Sequence, residues 1–191
     1  MTGVQTCALP ILITATRDHM YITPRSKMTY AVRGTLTFLC LLLSFSLAQA
    51  AQLSGTVVRI SDGDTVTILD NSKRMHKIRL TGIDAPEKSQ PFGDASRKSL
   101  AEMIFQKSVE VTFTKYDRYG RILGKIESNG VDICLEQIRR GLAWHYKHYA
   151  NEQPTEDRLA YAKAEEDARL AKLGLWRDPS PTPPWNFRRQ R

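Results

Sequence analysis

The chain has few cysteines, and their positions exclude a disulfide-stabilised fold. Among its 191 residues only three are cysteine: Cys7, Cys40 and Cys134. The first two lie in an N-terminal leader that we expect to be removed, so one thiol remains and no internal disulfide can form. Cys134 follows the segment Val131-Asp132-Ile133, which predicts a strand leading into a helix. This context favours a small buried apolar residue over a nucleophile.

The sequence also lacks an apolar run long enough to cross a bilayer. The uncharged, mainly apolar segment Thr35–Leu47 is well short of the roughly 20 residues that a membrane-spanning helix needs. Arg33 precedes this segment and the A-x-A motif Ala48-Gln49-Ala50 follows it. This order is typical of a secretory signal peptide. We therefore expect residues 28–50 to be a signal peptide, cleaved after Ala50, and the mature protein to be periplasmic or extracellular without a membrane anchor.

Residues 1–27 show no sustained periodicity and precede the signal peptide, which would naturally begin near Met28. We predict that they are a spurious N-terminal extension and that the true start is Met28. Peptides from residues 1–27 in mass spectra of the precursor would contradict this prediction.

Charge of either sign is only mildly in excess. From Ala51 onward, 24 Lys and Arg residues face 19 Asp and Glu residues, an excess of five positive charges. This excess favours an anionic partner, but it fits an ordinary basic surface equally well. A hydrophobic content of 41% is typical of a globular protein that builds a core.

Hydrophobic periodicity predicts five strands and about three helices. The stretches Gly55–Ile60 and Thr65–Leu69 flank an Asp-Gly turn, which is a strong hairpin signal. In a third strand, at about Lys73–Ile83, Ile78 and Leu80 point to one side and Arg79 to the other. Further strands are predicted at 109–113 and 122–126, and helices at 93–107, at 134–140 with Gly141 as the C′ residue, and from 155 to about 172 with an inward stripe of Ala160, Ala164, Ala168 and Ala171.

Five strands with interposed helices predict an α+β fold, a five-stranded OB-fold β-barrel with about three packed α-helices. We assign this domain to residues 51–177. The tail, residues 178–191, is rich in Pro and Arg and is predicted to be disordered. Barrels of this type often bind nucleic acids, but a fold alone does not define chemistry.

Three charged motifs follow one another along the chain. They are Asp62-Gly63-Asp64-Thr65, then Arg79 with Asp84-Ala85-Pro86-Glu87, and finally Asp117-Arg118-Tyr119-Gly120-Arg121. Taken singly, the first fits a hairpin turn, the second a loop that starts a helix, and the third a solvated strand end. Together, in this order and spacing, they resemble the staphylococcal nuclease (thermonuclease) family over about 125 residues, as far as Leu175-Trp176.

The resemblance implies a metal site and a residue that activates water. Asp64 and Asp84 correspond to carboxylate ligands of Ca²⁺, and the main-chain carbonyl of Ala85 to a further ligand. Hard divalent cations prefer such oxygen ligands. Glu87 corresponds to the residue that orients or deprotonates the attacking water, for which an ionised carboxylate is suited near neutral pH.

The resemblance also implies residues that bind substrate. Arg79 and Arg121 correspond to two phosphate-binding arginines, whose planar guanidinium groups can pair bidentately with the charge that develops on phosphorus. Tyr119, Arg118 and Tyr149 are the expected substrate contacts, although Tyr149 fits an ordinary packed aromatic equally well. Two departures from the family pattern are a short Lys88–Ser96 segment and a lysine, Lys147, in place of a second nucleotide-contacting tyrosine.

The expected protein is thus a secreted, Ca²⁺-dependent endonuclease, acting as a monomer on DNA and RNA and leaving 3′-phosphate ends. One alternative is a nucleic-acid-binding OB module without turnover, but simple binding does not call for clustered acids. A second is an exported protein whose barrel binds something else, which leaves the charged motifs unexplained. His145 and His148 suggest zinc, yet no third ligand stands nearby in the sequence, so we expect packing or surface roles.

Overall fold

The computed structural model of the protein describes residues 50–190. The predicted extension, residues 1–27, and the predicted signal peptide, up to residue 49, lie outside the described residues. The described part forms eight strands: β1 (Ala51–Asp62), β2 (Thr65–Asp70), β3 (Met75–Leu80), β4 (Ile83–Asp84), β5 (Ser108–Tyr116), β6 (Ile122–Ser128), β7 (Val131–Asp132) and β8 (Trp144–His145). Its α-helices are α1 (Gly93–Ile104), α2 (Ile133–Arg139), α3 (Thr155–Leu170) and α4 (Pro184–Arg189), and Lys147–Glu152 and Gly174–Arg177 are 3₁₀ helices.

Five of the strands close into a barrel. Their order is β3-β2-β1-β5-β6, and β3 pairs back onto β6 to complete the ring. The pairs β1–β2, β2–β3, β1–β5 and β5–β6 are antiparallel, whereas β3 and β6 are parallel, with Ile78 opposite Ile122. The predicted five-stranded α+β barrel is confirmed, and so is the predicted hairpin, since Asp62 on β1 pairs with Thr65 on β2.

The predicted third strand is divided by a bend. β3 ends at Leu80, and Gly82 adopts a positive φ of 73° before β4 begins at Ile83. A Cβ at Gly82 would lie 2.9 Å from the ring of buried Tyr161, and the positive φ would strain any larger residue, so glycine is favoured here. The bend lets β4 leave the barrel and pair with β8, with Asp84 opposite Trp144.

The helices pack onto the barrel and share its core. The main core consists of buried strand residues and buried helix residues, among them Val57, Ile68, Ile78, Val111, Ile126, Leu100, Ile104, Cys134, Ile138 and Tyr161. Cys134 is fully buried, as predicted, and Gly141 follows α2 with a positive φ of 66°, which suits a C′ residue. No helix within residues 50–190 combines the length and the hydropathy that crossing a membrane requires.

The predicted alanine stripe of α3 is only half right. Ala164 and Ala168 are buried, but Ala160 and Ala171 are exposed. The inward face also carries Tyr161 and Glu165. Positions 161, 164, 165 and 168 follow the i, i+3, i+4, i+7 spacing of a single helix face, and 160 and 171 lie beside it.

The tail predicted to be disordered instead contains an ordered helix. Pro184 occupies the first turn of α4, where its missing N–H is tolerated, and is buried. Trp185 packs against a small second core formed by Trp144, Trp176, Ala168 and Leu175. The residues that form this aromatic docking site come from segments outside the tail. The composition of the tail therefore could not predict that it packs here.

Candidate active site

The turn between β1 and β2 places Asp64 inside the protein. The Asp64 N–H donates to Asp62 Oδ1 at 3.2 Å, which tightens the turn. Gly63 packs so closely on α1 that a Cβ would lie 1.9 Å from Ser96 Oγ. The Asp62-Gly63-Asp64 motif is therefore a hairpin turn whose packing directs a buried carboxylate inward.

Arg79 joins two buried carboxylates. Its Nη1 lies 2.6 Å from Asp64 Oδ2 and its Nη2 lies 2.8 Å from Asp84 Oδ1. Asp84 is fully buried, and the Ala85 N–H donates to Asp64 Oδ2 at 2.8 Å. Residues up to 21 positions apart in the sequence thus meet around the Arg79 side chain and the Asp64 carboxylate.

Burial and charge act in opposite directions within this cluster. Burial raises the pKa of Asp64 above its usual range, and the adjacent Arg79 guanidinium only partly offsets that rise. Burial also lowers the pKa of Arg79, but the attraction of Asp64 and then Asp84 outweighs this and raises the Arg79 pKa overall. Grouped buried acids of this kind favour a nearby cation.

Glu87 lies beside this cluster and contacts a residue that the sequence did not indicate. The Glu87 N–H donates to Gln90 Oε1 at 3.1 Å, while Glu87 Oε1 accepts from Arg188 Nη1 at 2.7 Å. Arg188 Nη2 also donates to Asp84 Oδ2 at 2.7 Å. Arg188 belongs to the tail predicted to be disordered. The one sequence feature of this Pro- and Arg-rich segment that indicates packing is its pair of aromatic residues, Trp185 and Phe187.

The third motif forms a separate, more exposed cluster. Asp117 accepts from the Arg121 N–H at 2.9 Å and from Arg121 Nε at 2.7 Å. Burial acts to raise the pKa of Asp117, but these hydrogen bonds outweigh it and the pKa is lowered. Tyr119 is 68% exposed, and the guanidinium carbons of Arg118 and Arg121 lie 4.8 and 5.6 Å from its ring centroid. The cluster presents cations and an aromatic face to solvent.

One groove of roughly 1190 Å³ connects the three motifs. Of the predicted site residues it is lined by Asp64, Arg79, Ala85, Glu87, Arg118, Tyr119, Arg121 and Tyr149. Asp84 is not part of the lining and sits behind it, in contact with Arg79. Tyr149 is about half exposed and lies edge-on to Tyr146, with 5.3 Å between ring centroids. The structure therefore brings the predicted residues to one surface, and Tyr146 and Arg188 are further lining residues that sequence reasoning missed.

The two histidines do not face each other. His145 is buried on β8, where its Nε2 lies 2.9 Å from Gln153 Oε1 and its N–H donates to Glu165. His148 is exposed, with its ring 4.7 Å from that of Tyr149. These positions correspond to the packing and surface roles that the sequence suggests.

Comparison with known families identifies the family of the chain. Residues 77–178 match the sequence profile of the SNase family, described as staphylococcal nuclease homologues. The chain belongs to the staphylococcal nuclease family. It is accordingly a nuclease, an enzyme that hydrolyses phosphodiester bonds, and the groove is where the family resemblance places its chemistry.

Bacterial relatives match this nuclease over most of their length. A protein of Haemophilus influenzae named "Uncharacterized endonuclease" is 42% identical over 134 residues, covering 70% of this chain and 72% of the relative. A protein of Shigella flexneri named "Micrococcal nuclease" is 38% identical over 148 residues, covering 73% and 82% of the two chains. An "Uncharacterized endonuclease" of Escherichia coli is 40% identical over 142 residues, covering 74% and 88%.

The cluster around Asp84 contains oxygen atoms of the kind that a hard divalent cation prefers as ligands. Within residues 50–190 no three His, Cys, Asp or Glu side chains converge as a ready set of ligands. This nuclease would therefore offer two carboxylates, from Asp64 and Asp84, and the Ala85 carbonyl, leaving other positions for water or phosphate. The guanidinium of Arg188 already lies against Asp84 and Glu87, which shows that this part of the site accepts a positive charge.

Proposed function

We propose that this nuclease is an exported, Ca²⁺-dependent endonuclease that hydrolyses the 5′ P–O bond of DNA and RNA and leaves 3′-phosphate ends. The observation that carries the proposal is the common groove. It is lined by Asp64, Arg79, Glu87 and Arg121, with Asp84 buried directly behind Arg79. The names of the relatives, endonuclease and micrococcal nuclease, support the same reaction class. Export depends on the signal peptide expected at residues 28–50.

Asp64, Asp84 and the Ala85 carbonyl are the residues that would hold the cation. A bound Ca²⁺ would supply positive charge that binds a phosphate oxygen and offsets the charge gained as phosphorus becomes five-coordinate. The chain holds the Asp64 carboxylate in a fixed position, because Ala85 N–H and Thr65 Oγ1 both donate to it. Preorganised ligands need little rearrangement when the substrate arrives.

Glu87 is placed to act on water. Its side chain lies at the groove surface and is about one third exposed, so solvent reaches it. In the proposed reaction Glu87 takes a proton from water, and the resulting hydroxide oxygen forms a bond to phosphorus. The bond from phosphorus to the 5′ oxygen breaks, that oxygen takes up a proton from solvent, Glu87 releases its proton to solvent, and the products are a 3′-phosphate and a 5′-hydroxyl.

Arg121 and Arg79 differ in the contacts that they make within the protein. Arg121 commits only its Nε and backbone N–H to Asp117, and among the described residues its terminal nitrogens have no hydrogen-bond partner. Those nitrogens would bind phosphate bidentately. Arg79 is held by Asp64 and Asp84 and by the carbonyls of Leu80 and Ile83, so it also keeps the acids together. Tyr119, Arg118 and Tyr149 would contact the nucleotide beside the scissile phosphate.

A cleavage assay with defined product ends tests the reaction. The purified protein is incubated with single-stranded DNA, double-stranded DNA or RNA, in Ca²⁺ or in chelator, with Asp84→Asn as the matched variant. We expect cleavage by the wild type in Ca²⁺ alone. Polymerase should extend the products only after phosphatase treatment, because a 3′-phosphate blocks extension. Binding without cleavage in every divalent cation tried would show a nucleic-acid-binding module instead.

Export is tested separately, at the N-terminus of the protein recovered from cells. Edman sequencing or mass spectrometry of the periplasmic and culture fractions should find a chain that begins at Ala51. A protein confined to the cytoplasm with residues 28–50 attached would contradict export, without affecting the proposed reaction.

A further inference from the structure

Helix α4 is docked on the rim of the groove by contacts that do not depend on its charges. Trp185 stacks on Tyr146, with ring centroids 5.6 Å apart at 24°, and meets Trp144 edge-on at 5.6 Å. Gln90 Nε2 donates to the carbonyl of Thr182 at 2.5 Å, and Pro184 is buried. Aromatic pairs of this geometry stabilise packing beyond their buried area. The tail therefore has a defined position on this surface.

That position places Arg188 on the acids of the proposed metal site. Its two terminal nitrogens contact both carboxylate oxygens of Asp84, at 2.7 and 3.2 Å, and one of them also contacts Glu87 Oε1 at 2.7 Å. Asp84 Oδ1 is shared with Arg79. Asp84 Oδ2, by contrast, has Arg188 as its one ion-pair partner among the described residues. A planar guanidinium across a carboxylate is a strong, geometrically specific pair.

The charge of the cluster makes removal of Arg188 unfavourable unless another cation replaces it. The acidic side chains Asp62, Asp64, Asp84 and Glu87 face one permanent internal cation, Arg79, besides Arg188 itself. When Arg188 leaves, fully buried Asp84 keeps Arg79 but loses its second charged partner, and incomplete compensation of a buried charge destabilises the folded protein. Opening of the tail and binding of a divalent cation are therefore coupled, because the cation replaces the positive charge that Arg188 removes from the acids when the tail opens.

We propose that α4 is an autoinhibitory cap, in which Arg188 and the divalent cation compete for Asp84 Oδ2 and Glu87 Oε1. The inference rests on the proposed metal-dependent function of this site. Because Arg188 is tethered to the same chain, the competition is intramolecular and independent of protein concentration. The docked helix keeps Asp84 and Glu87 occupied until the free divalent cation is abundant enough to displace the guanidinium.

The cap has a measurable effect on cation affinity. If it is docked about nine-tenths of the time, the apparent dissociation constant of the cation rises roughly tenfold, because only the open fraction binds. Removing the guanidinium should restore the intrinsic affinity. The neighbouring Arg189 is also exposed and cationic on the same short helix, and among the described residues it forms no ion pair. It is therefore the matched control.

Calorimetric titration of Ca²⁺ into full-length wild type, Arg188→Ala and Arg189→Ala tests the cap without relying on catalysis. We expect Arg188→Ala to bind Ca²⁺ about tenfold more tightly and Arg189→Ala to match the wild type. Trp185→Ala, which undocks α4 and leaves every acid intact, should also tighten binding, so the test survives if one variant folds poorly. Equal affinity in the wild type, Arg188→Ala and Trp185→Ala would overturn the cap.

Hydrogen exchange supplies the second measurement. In the wild type, amides of residues 186–190 should lose protection when Ca²⁺ saturates the site, and unchanged protection would overturn the proposal. If Arg188→Ala lowers cleavage while Ca²⁺ affinity stays the same, Arg188 binds substrate and is not a cap. If Arg188→Ala tightens Ca²⁺ binding but no variant cleaves nucleic acid, the cap stands and the proposed nuclease reaction fails.

Discussion

Gln137 on α2 donates its side-chain amide to the carbonyl of Gly63, 2.9 Å away, and so holds the turn that presents Asp64. The same amide donates to the Ser96 carbonyl at 3.1 Å, while Ser99 Oγ donates to Gln137 Oε1 at 2.8 Å. Gln137 is fully buried. One side chain therefore ties helices α1 and α2 to the hairpin behind the active site.

Replacing Gln137 by leucine should weaken both the fold and the site. The change leaves the Gly63 carbonyl and the Ser99 hydroxyl buried without their partner, which costs about 1–3 kcal/mol of unfolding free energy. Urea unfolding measures the loss, and Ca²⁺ affinity should fall because the turn carrying Asp64 relaxes. Glu136→Gln, at the adjacent half-buried position whose side chain pairs with Arg139 outside this network, serves as the control. A Gln137→Leu protein as stable as the wild type would show that the network contributes nothing.

Arg79→Lys and Arg121→Lys should differ in what they damage. Each should lower the cleavage rate about a hundredfold to a thousandfold, because each removes a preorganised bidentate donor. Arg79→Lys should also lower the melting temperature, since buried Asp84 and Asp64 lose a shared partner. Arg121 is more exposed and pairs with Asp117 at the surface, so its lysine variant should melt like the wild type. Arg59→Lys, on an exposed β1 position, is the control, and an unchanged rate in either active-site variant would reassign that arginine to structure.

Asp70 should make stability depend on pH in acid. The side chain accepts hydrogen bonds from His76 and from the Arg74 backbone, which lower the Asp70 pKa from 3.8 to about 2. A carboxylate with a depressed native pKa stabilises the fold above its unfolded pKa and loses that effect as pH falls through the native value. The stability difference between the wild type and Asp70→Asn should thus be largest at pH 5 and shrink from about pH 4 towards pH 2.

Urea unfolding followed by tryptophan fluorescence at a series of pH values would measure this difference. Glu110→Gln, at an exposed position of β5, serves as a matched carboxylate variant and should have little effect at pH 5. A difference for Asp70→Asn that stays constant down to pH 2 would refute the assignment.

Cys134 should be unreactive while the protein is folded. Burial raises the pKa of its thiol to about 12, and the thiolate is the form that reacts. Iodoacetamide at pH 8 should therefore leave Cys134 unmodified in the native protein and alkylate it in urea, as quantified by peptide mass spectrometry. Equal labelling in both conditions would mean that α2 opens readily.

Local patterns were sufficient to predict most of the barrel. Apolar and polar residues alternate along β2 and β3, and an Asp-Gly turn lies between two β-branched runs. These patterns predict a hairpin from residues that are close in the sequence. The same alternation places Arg79 on the face opposite Ile78 and Leu80. The three charged motifs lie within short segments, so their order and spacing identified the family without any long-range information.

The closing of the barrel and the state of the site depend on contacts between distant segments. No local pattern indicates that β3 pairs parallel with β6, or that Gly82 divides the third predicted strand to bring β4 against β8. The family resemblance implies a phosphate-binding role for Arg79, and only the fold shows its side chain engaged with Asp64 and Asp84.

Composition alone determined that the tail is rich in Pro and Arg, and on that basis it was predicted to be disordered. The tertiary structure decided otherwise, because Trp144 and Tyr146 form an aromatic surface that Trp185 can cover. Arg188 then reaches Asp84, 104 residues earlier in the chain. Periodicity reports which face a segment buries but not which remote segment covers it, so the docked helix and its arginine became visible only in three dimensions.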